Sequence, residues 1–414
     1  MIQIPPALRQ RNFALFWTGS LISVAGTQMQ VWALLWHIST ISNQPIYVSG
    51  IGFVRFLPVL LFSLFGGIIA DVFDRRKILY ATQILMMLSA LGLGVLTLNG
   101  TVQIWHIYLL TGIQAIATSF DLPARQALIP NLLPRELFAN AFSLNSISFN
   151  TGSILGPALS GIVIAAFGLH WVYFFNAASY LAVIIALLMI HDLPQGQQPV
   201  TSTARGRSVS IEAIREGIHF IVNHPIILSS MILDFWATFF SSANTLLPFV
   251  AKNVLKVGVV DYGWLSAGQS IGAVAVGILF SQRTTIRRQG RLLLGAVVSF
   301  GLATIVFGLS HFFLLTLFAL VFVGASDSVS TILRNTIRQL QTPDYIRGRM
   351  VSINQIFFSG GPQLGEIEAG IVAQTFGVPA AIISGGVGCL VAVGLIAGIW
   401  PQLREYNGEE AVAA

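Results

Sequence analysis

The sequence is short of charge: Asp, Glu, Lys and Arg make up 9% of its 414 residues, against roughly 25% in an ordinary soluble domain. That shortage, with 55% hydrophobic residues and a mean hydropathy of +0.77, excludes a water-soluble fold. Cysteine is nearly absent. Cys389 stands alone, so an intramolecular disulfide, a thiol pair and a thiolate zinc cluster are excluded. The seven histidines are scattered, and His106, His170 and His311 sit singly at the ends of apolar stretches, which gives a metal no clustered ligands. No nucleophile with its base, and no phosphate-binding glycine loop, is visible; an enzyme is not expected and no cofactor is implied. The net charge of +6 is spread over short loops, so nucleic acid is not an expected partner.

What is abundant is apolar helix. Stretches long enough to cross roughly 30 Å of hydrocarbon lie near 13–38, 46–70, 78–98, 102–120, 139–166, 171–190, 226–250, 262–281, 291–309, 312–333, 350–375 and 378–399. They predict an all-α membrane protein with twelve transmembrane helices, six per half. With both termini in the cytoplasm, 19 of the 22 basic residues, Arg125, Arg334 and Arg338 included, fall on the inner side; Lys252 and Lys256 fall outside and Arg55 in the membrane. This is the asymmetry of a bacterial inner-membrane protein. Ile4-Pro5-Pro6 and Arg9 to Arg11 precede a first span too long for a signal peptide, so the N-terminus is expected to stay attached.

Residues 125–168 recur 209 positions later, with 14 identities in 44 positions and no gap, from Arg125 and Arg334 to Gly168 and Gly377. Chance would give roughly three or four, so duplication is the better account. Duplicated helical membrane proteins are usually transporters, because two similar halves can rock about a site between them. The organisation read from this is a six-helix bundle at 1–191, a linker with an interfacial helix at 192–224, and a second six-helix bundle at 225–414. Asp192 to Ser210 is polar and rich in Pro and Gly, as a flexible linker is. Ile211, Ile214, Ile218, Ile221 and Val222 follow at helical spacing and predict a helix on the inner membrane surface, with a partner-docking helix as the alternative.

Between spans 2 and 3 stands Gly66-Gly67-Ile68-Ile69-Ala70-Asp71-Val72-Phe73-Asp74-Arg75-Arg76-Lys77, which resembles the signature loop of the major facilitator superfamily. Gly67, Asp71 and the basic end match, while Val72 replaces the usual arginine and Asp74 the usual glycine. With Asp121-Leu122-Pro123-Ala124-Arg125-Gln126 and Arg347-Gly348-Arg349, the loop is similar to the branch that holds the enterobactin exporter and the macrolide efflux proteins. The resemblance covers nearly the whole chain. On physical grounds Asp71 can sit at the N-terminus of span 11, near Arg347 or Arg349, and latch the inner side; a solvated topogenic cluster is the plainer reading. Gly152, Gly156, Pro157 and Gly161 in span 5 are similar to the packing signature of antiporter-type exporters, with generic helix packing as the alternative. In the repeat copy Glu366 stands where Pro157 does.

Ionisable residues within spans are the strongest functional pointers, since each must be paired or neutralised. They are Arg55, Asp234, Asp327, Glu366 and Glu368. The resemblance implies that spans 1, 4, 7 and 10 line a cavity, so Asp234, read as unpaired, and Asp327 are expected to face substrate or water and to carry protons, with Glu366 and Glu368 as further proton-coupling candidates. Asp327 could instead pair with Arg334. Arg55 lies roughly 14 Å below the outer surface, and Glu368 and Glu366 roughly 12 and 15 Å. Spans 2 and 11 face one another in the superfamily, which implies a pair between the halves. Gln28, Gln30, Trp32, Gln114, Asn145, Asn150, Trp236, Asn244 and Gln269 are candidate walls for an amphipathic ligand, each alternatively a packing residue. Span 4 lacks the intramembrane arginine of many drug:proton antiporters. The expected function is export of a small amphipathic molecule, a drug or a siderophore, by proton antiport, with the protein acting as a monomer in the bilayer. Import or facilitated passage of a lipid or nutrient, and a non-transporting receptor or scaffold, are the alternatives.

Overall fold

The structure, a computed structural model, describes residues 5–190, 211–282, 286–343 and 346–408. The predicted linker, 192–210, lies outside the described residues. A short turn, Pro6–Arg9, leads into α1 (Arg11–Ile41), α2 (Pro45–Val72), α3 (Arg75–Leu98), α4 (Ile104–Leu132), α5 (Phe138–Phe167) and α6 (Leu169–Met189). Then come α7 (Ile211–Asn223), α8 (Pro225–Ser241), the single turn α9 (Leu247–Phe249), α10 (Val259–Ser281), α11 (Gln289–Leu309), α12 (Phe313–Leu340), α13 (Arg347–Phe376), α14 (Val378–Ile399) and α15 (Pro401–Glu405). Among the described residues, nine helices are long and apolar enough to cross a membrane. The expected twelve are thus met by nine: α1, α4 and α13, of 31, 29 and 30 residues, are not among them.

The repeat is visible in the helix ends. The bounds of α5 and α13 differ by 209 at both ends, and each helix stops at a glycine in the left-handed region, Gly168 at φ 95° and Gly377 at φ 92°. A side chain would strain that turn, which lets the next helix start at once. Prolines 58, 123, 130, 157 and 362 sit inside helices without ending them. In an apolar setting the neighbouring helices can satisfy the backbone groups that proline frees.

Two compact units form, one of Met1–Gly196 with Val257–Ala267, the other of Gln197–Lys256 with Gly268–Ala414. In unit 1, α1 packs on α5 and α6, and α3 on α4 and α6. Unit 2 repeats this with α8 on α13 and α14, and α11 on α12 and α14. Its core gathers Leu233, Leu293, Val297, Leu333, Ile337, Cys389 and Val393. Large apolar side chains such as Phe318, Phe322, Leu188 and Leu395 stay exposed along the helices, as a lipid-facing surface requires.

Three boundaries differ from the sequence reading. α4 and α12 run past the ends expected at 120 and 333, because polar residues continue the helix once the apolar stretch stops. The seventh span is not continuous: α8 ends at Ser241, and a 3-10 turn (Asn244–Leu246), α9 and a π turn (Val250–Val254) follow. Pro248, which has no N–H to give a preceding turn, helps keep this stretch from being one rod. α7 forms over the stretch expected to be helical; Phe220 and Ile221 pack with Ile227, Met231 and Met350, while Ile218 and Val222 are exposed.

Candidate functional site

Unit 2 buries an ionic cluster. Asp234, on the inner face of α8, is 0% exposed, and Arg334 and Arg338, one turn apart on α12, are 1% and 2% exposed. Arg334 Nη2 lies 2.9 Å from Asp234 Oδ1 and 3.8 Å from Asp327 Oδ1, and Arg338 Nη2 lies 3.9 Å from Asp234 Oδ2. Arg334 also donates to Thr331 Oγ1 at 2.9 Å, and Arg338 Nε to the Arg334 carbonyl at 3.0 Å. The cluster is under-satisfied: neither Asp234 oxygen accepts an aligned hydrogen bond, and Arg334 Nε and Arg338 Nη1 are buried without an acceptor. Two expectations are corrected here. Asp234 is not an unpaired carboxylate, and Arg334 and Arg338 are not loop charges. An unpaired buried carboxylate would be far costlier than this pair, so the helix continues and carries two arginines inward. Asp327 is near Arg334, as the alternative reading had it, but the closer partner is Asp234.

The equivalent place in unit 1 is built otherwise. Arg125 pairs through Nε with Asp121 one turn earlier on α4 and donates through Nη1 to Ser20 Oγ on α1 at 2.9 Å. Thr82 and Gln83 of α3 donate to Asp121 Oδ1 at 2.8 and 2.7 Å. Arg125 thus lies within α4, toward its C-terminal end and past residue 120, where the apolar stretch stops.

Several predicted cavity residues turn out to brace helices. Gln30 Nε2 donates to Gln114 Oε1 at 2.7 Å, and Asn176 Nδ2 donates to Gln30 Oε1 at 2.6 Å, which ties α1, α4 and α6 together. Gln28 donates to Ser153 Oγ at 2.8 Å, and Gln269 to Asn244 Oδ1 at 2.7 Å. Asn145 is half-buried and Asn150 exposed. Trp32 offers its carbonyl to the Tyr262 hydroxyl at 3.0 Å and its ring edge to the same tyrosine, both within unit 1. Trp236 is 40% exposed and stacks on Phe240.

The loop before α3 is spent inside unit 1. Asp74 caps α3 by accepting from the Arg76 amide at 2.9 Å. Arg75 donates to the Ala127 carbonyl at 2.9 Å and Arg76 to the Leu187 carbonyl at 2.6 Å, near the C-terminal ends of α4 and α6. Lys77 is exposed. Gly67 and Asp71 lie in α2, and Arg347 and Arg349 in the first turn of α13; their side chains are outside the described residues. The glycines of span 5 allow close approach: a Cβ on Gly152 would come 2.7 Å from Val24 Cγ1 of α1, and one on Gly161 would come 2.6 Å from the Val259 carbonyl. Pro157 is buried, and its carbonyl would lie 2.7 Å from a Cβ on Gly263. Arg55 is exposed on α2 of unit 1; Glu366 and Glu368 are half-buried on α13 of unit 2. Among the described residues, no three of His, Cys, Asp and Glu come together as a metal site would need.

Against known proteins, the profile of the family described as "Transmembrane secretion effector" matches residues 4–414. The chain is 26% identical over 343 residues to the enterobactin exporter EntS of Shigella boydii serotype 18, covering 83% of this chain and 80% of that one. It is 28% identical over 332 residues to EntS of Citrobacter koseri, covering 80% and 77%. Among solved structures, a bacterial homolog of the human lysosomal transporter Spinster, inward-facing and unoccupied, aligns with a TM-score of 0.72 at 16% identity over 97% of this chain and 98% of that one. A bacterial homologue of the iron transporter ferroportin aligns at 0.68 and 15% identity over 96% and 99%. These structures share the fold.

Proposed function

The chain belongs to the transmembrane secretion effector family, and on that premise we propose that it exports a small amphipathic molecule of the siderophore kind in exchange for protons. The family and fold make it a secondary-transporter-type, multi-pass membrane protein and not a catalytic enzyme. In this proposal twelve helices cross the inner membrane as two sets of six, and both termini are cytoplasmic. The relatives, enterobactin exporters that align over about four-fifths of the chain, support a siderophore such as enterobactin as cargo and support outward transport. Proton exchange is carried by a single observation, the under-satisfied cluster of Asp234, Asp327, Arg334 and Arg338 inside an apolar unit. Ionisable groups held there at a cost of several kcal/mol are kept for a function. Glu366 and Glu368 are the next candidates for coupling.

A latch of Asp71 with the start of α13, and a pair of Arg55 with Glu366 or Glu368, belong to the same proposal as the contacts that alternate during transport. Arg55→Glu should impair export, and Glu366→Arg or Glu368→Arg in the same chain should recover part of it; absence of recovery in both combinations removes the pair. The overall reading is tested by expressing the chain in a bacterium that makes enterobactin and lacks its own exporter. Secretion should return and should stop when an uncoupler collapses the proton gradient. Enterobactin uptake instead of secretion would overturn the direction, and secretion indifferent to the uncoupler would overturn the coupling.

A further inference from the structure

Resting on the proton-exchange reading above, we propose a division of labour within the unit 2 cluster: Asp327 takes up and releases the proton, Asp234 stays as the buried counter-ion, and Arg334 is the positioning residue shared between them. Access separates the two carboxylates. The Asp327 side chain is 47% exposed, whereas those of Asp234 and Arg334 are 1% and 2% exposed, so of these three Asp327 is the one with accessible surface through which a proton can come and go. Distance separates them too. Arg334 Nη2 is in contact with Asp234 Oδ1 at 2.9 Å and stands just beyond hydrogen-bond range of Asp327 Oδ1 at 3.8 Å.

Charge balance points the same way. Two guanidiniums face two carboxylates. A proton that forms an O–H bond on an Asp327 oxygen leaves Arg334 in the contact it already has with Asp234, and no buried charge loses its partner. A proton on Asp234 would instead leave two buried guanidiniums against one half-exposed carboxylate. When Asp327 returns its proton to water, its carboxylate can again draw on the guanidinium, which keeps its own protons throughout. Arg334 Nη2 donates to Thr331 Oγ1 on its own helix, while neither Asp234 oxygen accepts an aligned hydrogen bond and Arg334 Nε has no acceptor, so no aligned hydrogen bond ties the guanidinium to one carboxylate. Among the described residues, the charged groups acting on Asp327 are Arg334 and Asp234. From the other helices the neighbouring contacts of this stretch are uncharged: Ser326 donates to Ser299 Oγ of α11 at 2.9 Å, and Ser328 to the Ala273 carbonyl of α10 at 3.3 Å.

The test is infrared difference spectroscopy of the purified full-length protein in liposomes on acidification, which needs no substrate. The wild type should show the carbonyl stretch of a newly protonated carboxylic acid. Asp327→Asn, a near-isosteric change at a half-exposed side chain, should lose that component, and Asp327→Glu should keep it at a shifted frequency. A spectrum unchanged by Asp327→Asn would overturn the assignment. If the component is lost in Asp234→Asn, Glu366→Gln or Glu368→Gln instead, proton exchange stands on another residue. If no variant alters the spectrum and secretion also ignores an uncoupler, the underlying coupling reading fails as well.

Discussion

Arg125 and Arg334 occupy the same place in the repeat, 209 positions apart, yet the two units hold them by different means. Arg125 has its carboxylate on its own helix, one turn away, and that carboxylate is held again by Thr82 and Gln83 of the facing helix. At the position matching Asp121, unit 2 has Ser330, whose hydroxyl is buried without a partner. The balancing charge has moved to α8, and a second arginine and a half-exposed second aspartate have been added. Both Asp121 oxygens accept hydrogen bonds and Gln83 Oε1 is the unpartnered atom of that network, whereas in unit 2 both Asp234 oxygens, Arg334 Nε and Arg338 Nη1 lack an aligned partner. The more fully satisfied a buried polar network is, the more it rigidifies. The first site reads as architecture and the second as machinery.

Removing Arg334 should have the largest effect on stability. In Arg334→Ala, Asp234 keeps only Arg338 at 3.9 Å, and breaking a buried pair in this way costs on the order of 3–5 kcal/mol. Thermal unfolding of the purified protein measures it, and a loss no larger than that of a surface substitution would show that the cluster is not buried as described. Asp121→Asn is a smaller lesion, since the amide oxygen still accepts from Thr82 and Gln83. About 1–3 kcal/mol should be lost with the charge of the Arg125 pair, while export per folded molecule stays at the wild-type level. Export lost at equal folded amount would make unit 1 as functional as unit 2 and end the contrast. Thr82→Ala should cost least, about 0.5–1.5 kcal/mol for one hydrogen bond, with no change in transport per folded molecule.

Much of the architecture was legible because it rests on local pattern. Apolar stretches locate the helices to within a few residues, except where polar residues prolong α4 and α12 and where the seventh span breaks after Ser241, and the self-similarity at 209 returns as matched bounds of α5 and α13. Pairing was not legible. Asp234 and Arg334 are 100 residues apart, and helical spacing says which residues share a face but not what that face meets. Arg334 and Arg338 lie just past an apolar run, which is why they look like loop charges in the sequence. Gln30 and Gln114 look like a polar wall for the same reason: only the packed helices show that Gln30 donates to Gln114, that Gln114 donates to the Met86 carbonyl and that Asn176 donates to Gln30. The one local signal was the spacing of Asp327, Arg334 and Arg338, seven and four residues apart, which puts all three near one stripe of α12.

The contrast between the units meets its most direct test in proteoliposomes carrying equal amounts of folded Asp121→Asn and Asp234→Asn protein, with enterobactin transport followed under an imposed pH gradient. Asp121→Asn should transport at the wild-type rate, and Asp234→Asn should lose gradient-driven transport. Equal rates for the two variants, or loss confined to Asp121→Asn, would contradict the assignment of proton exchange to unit 2.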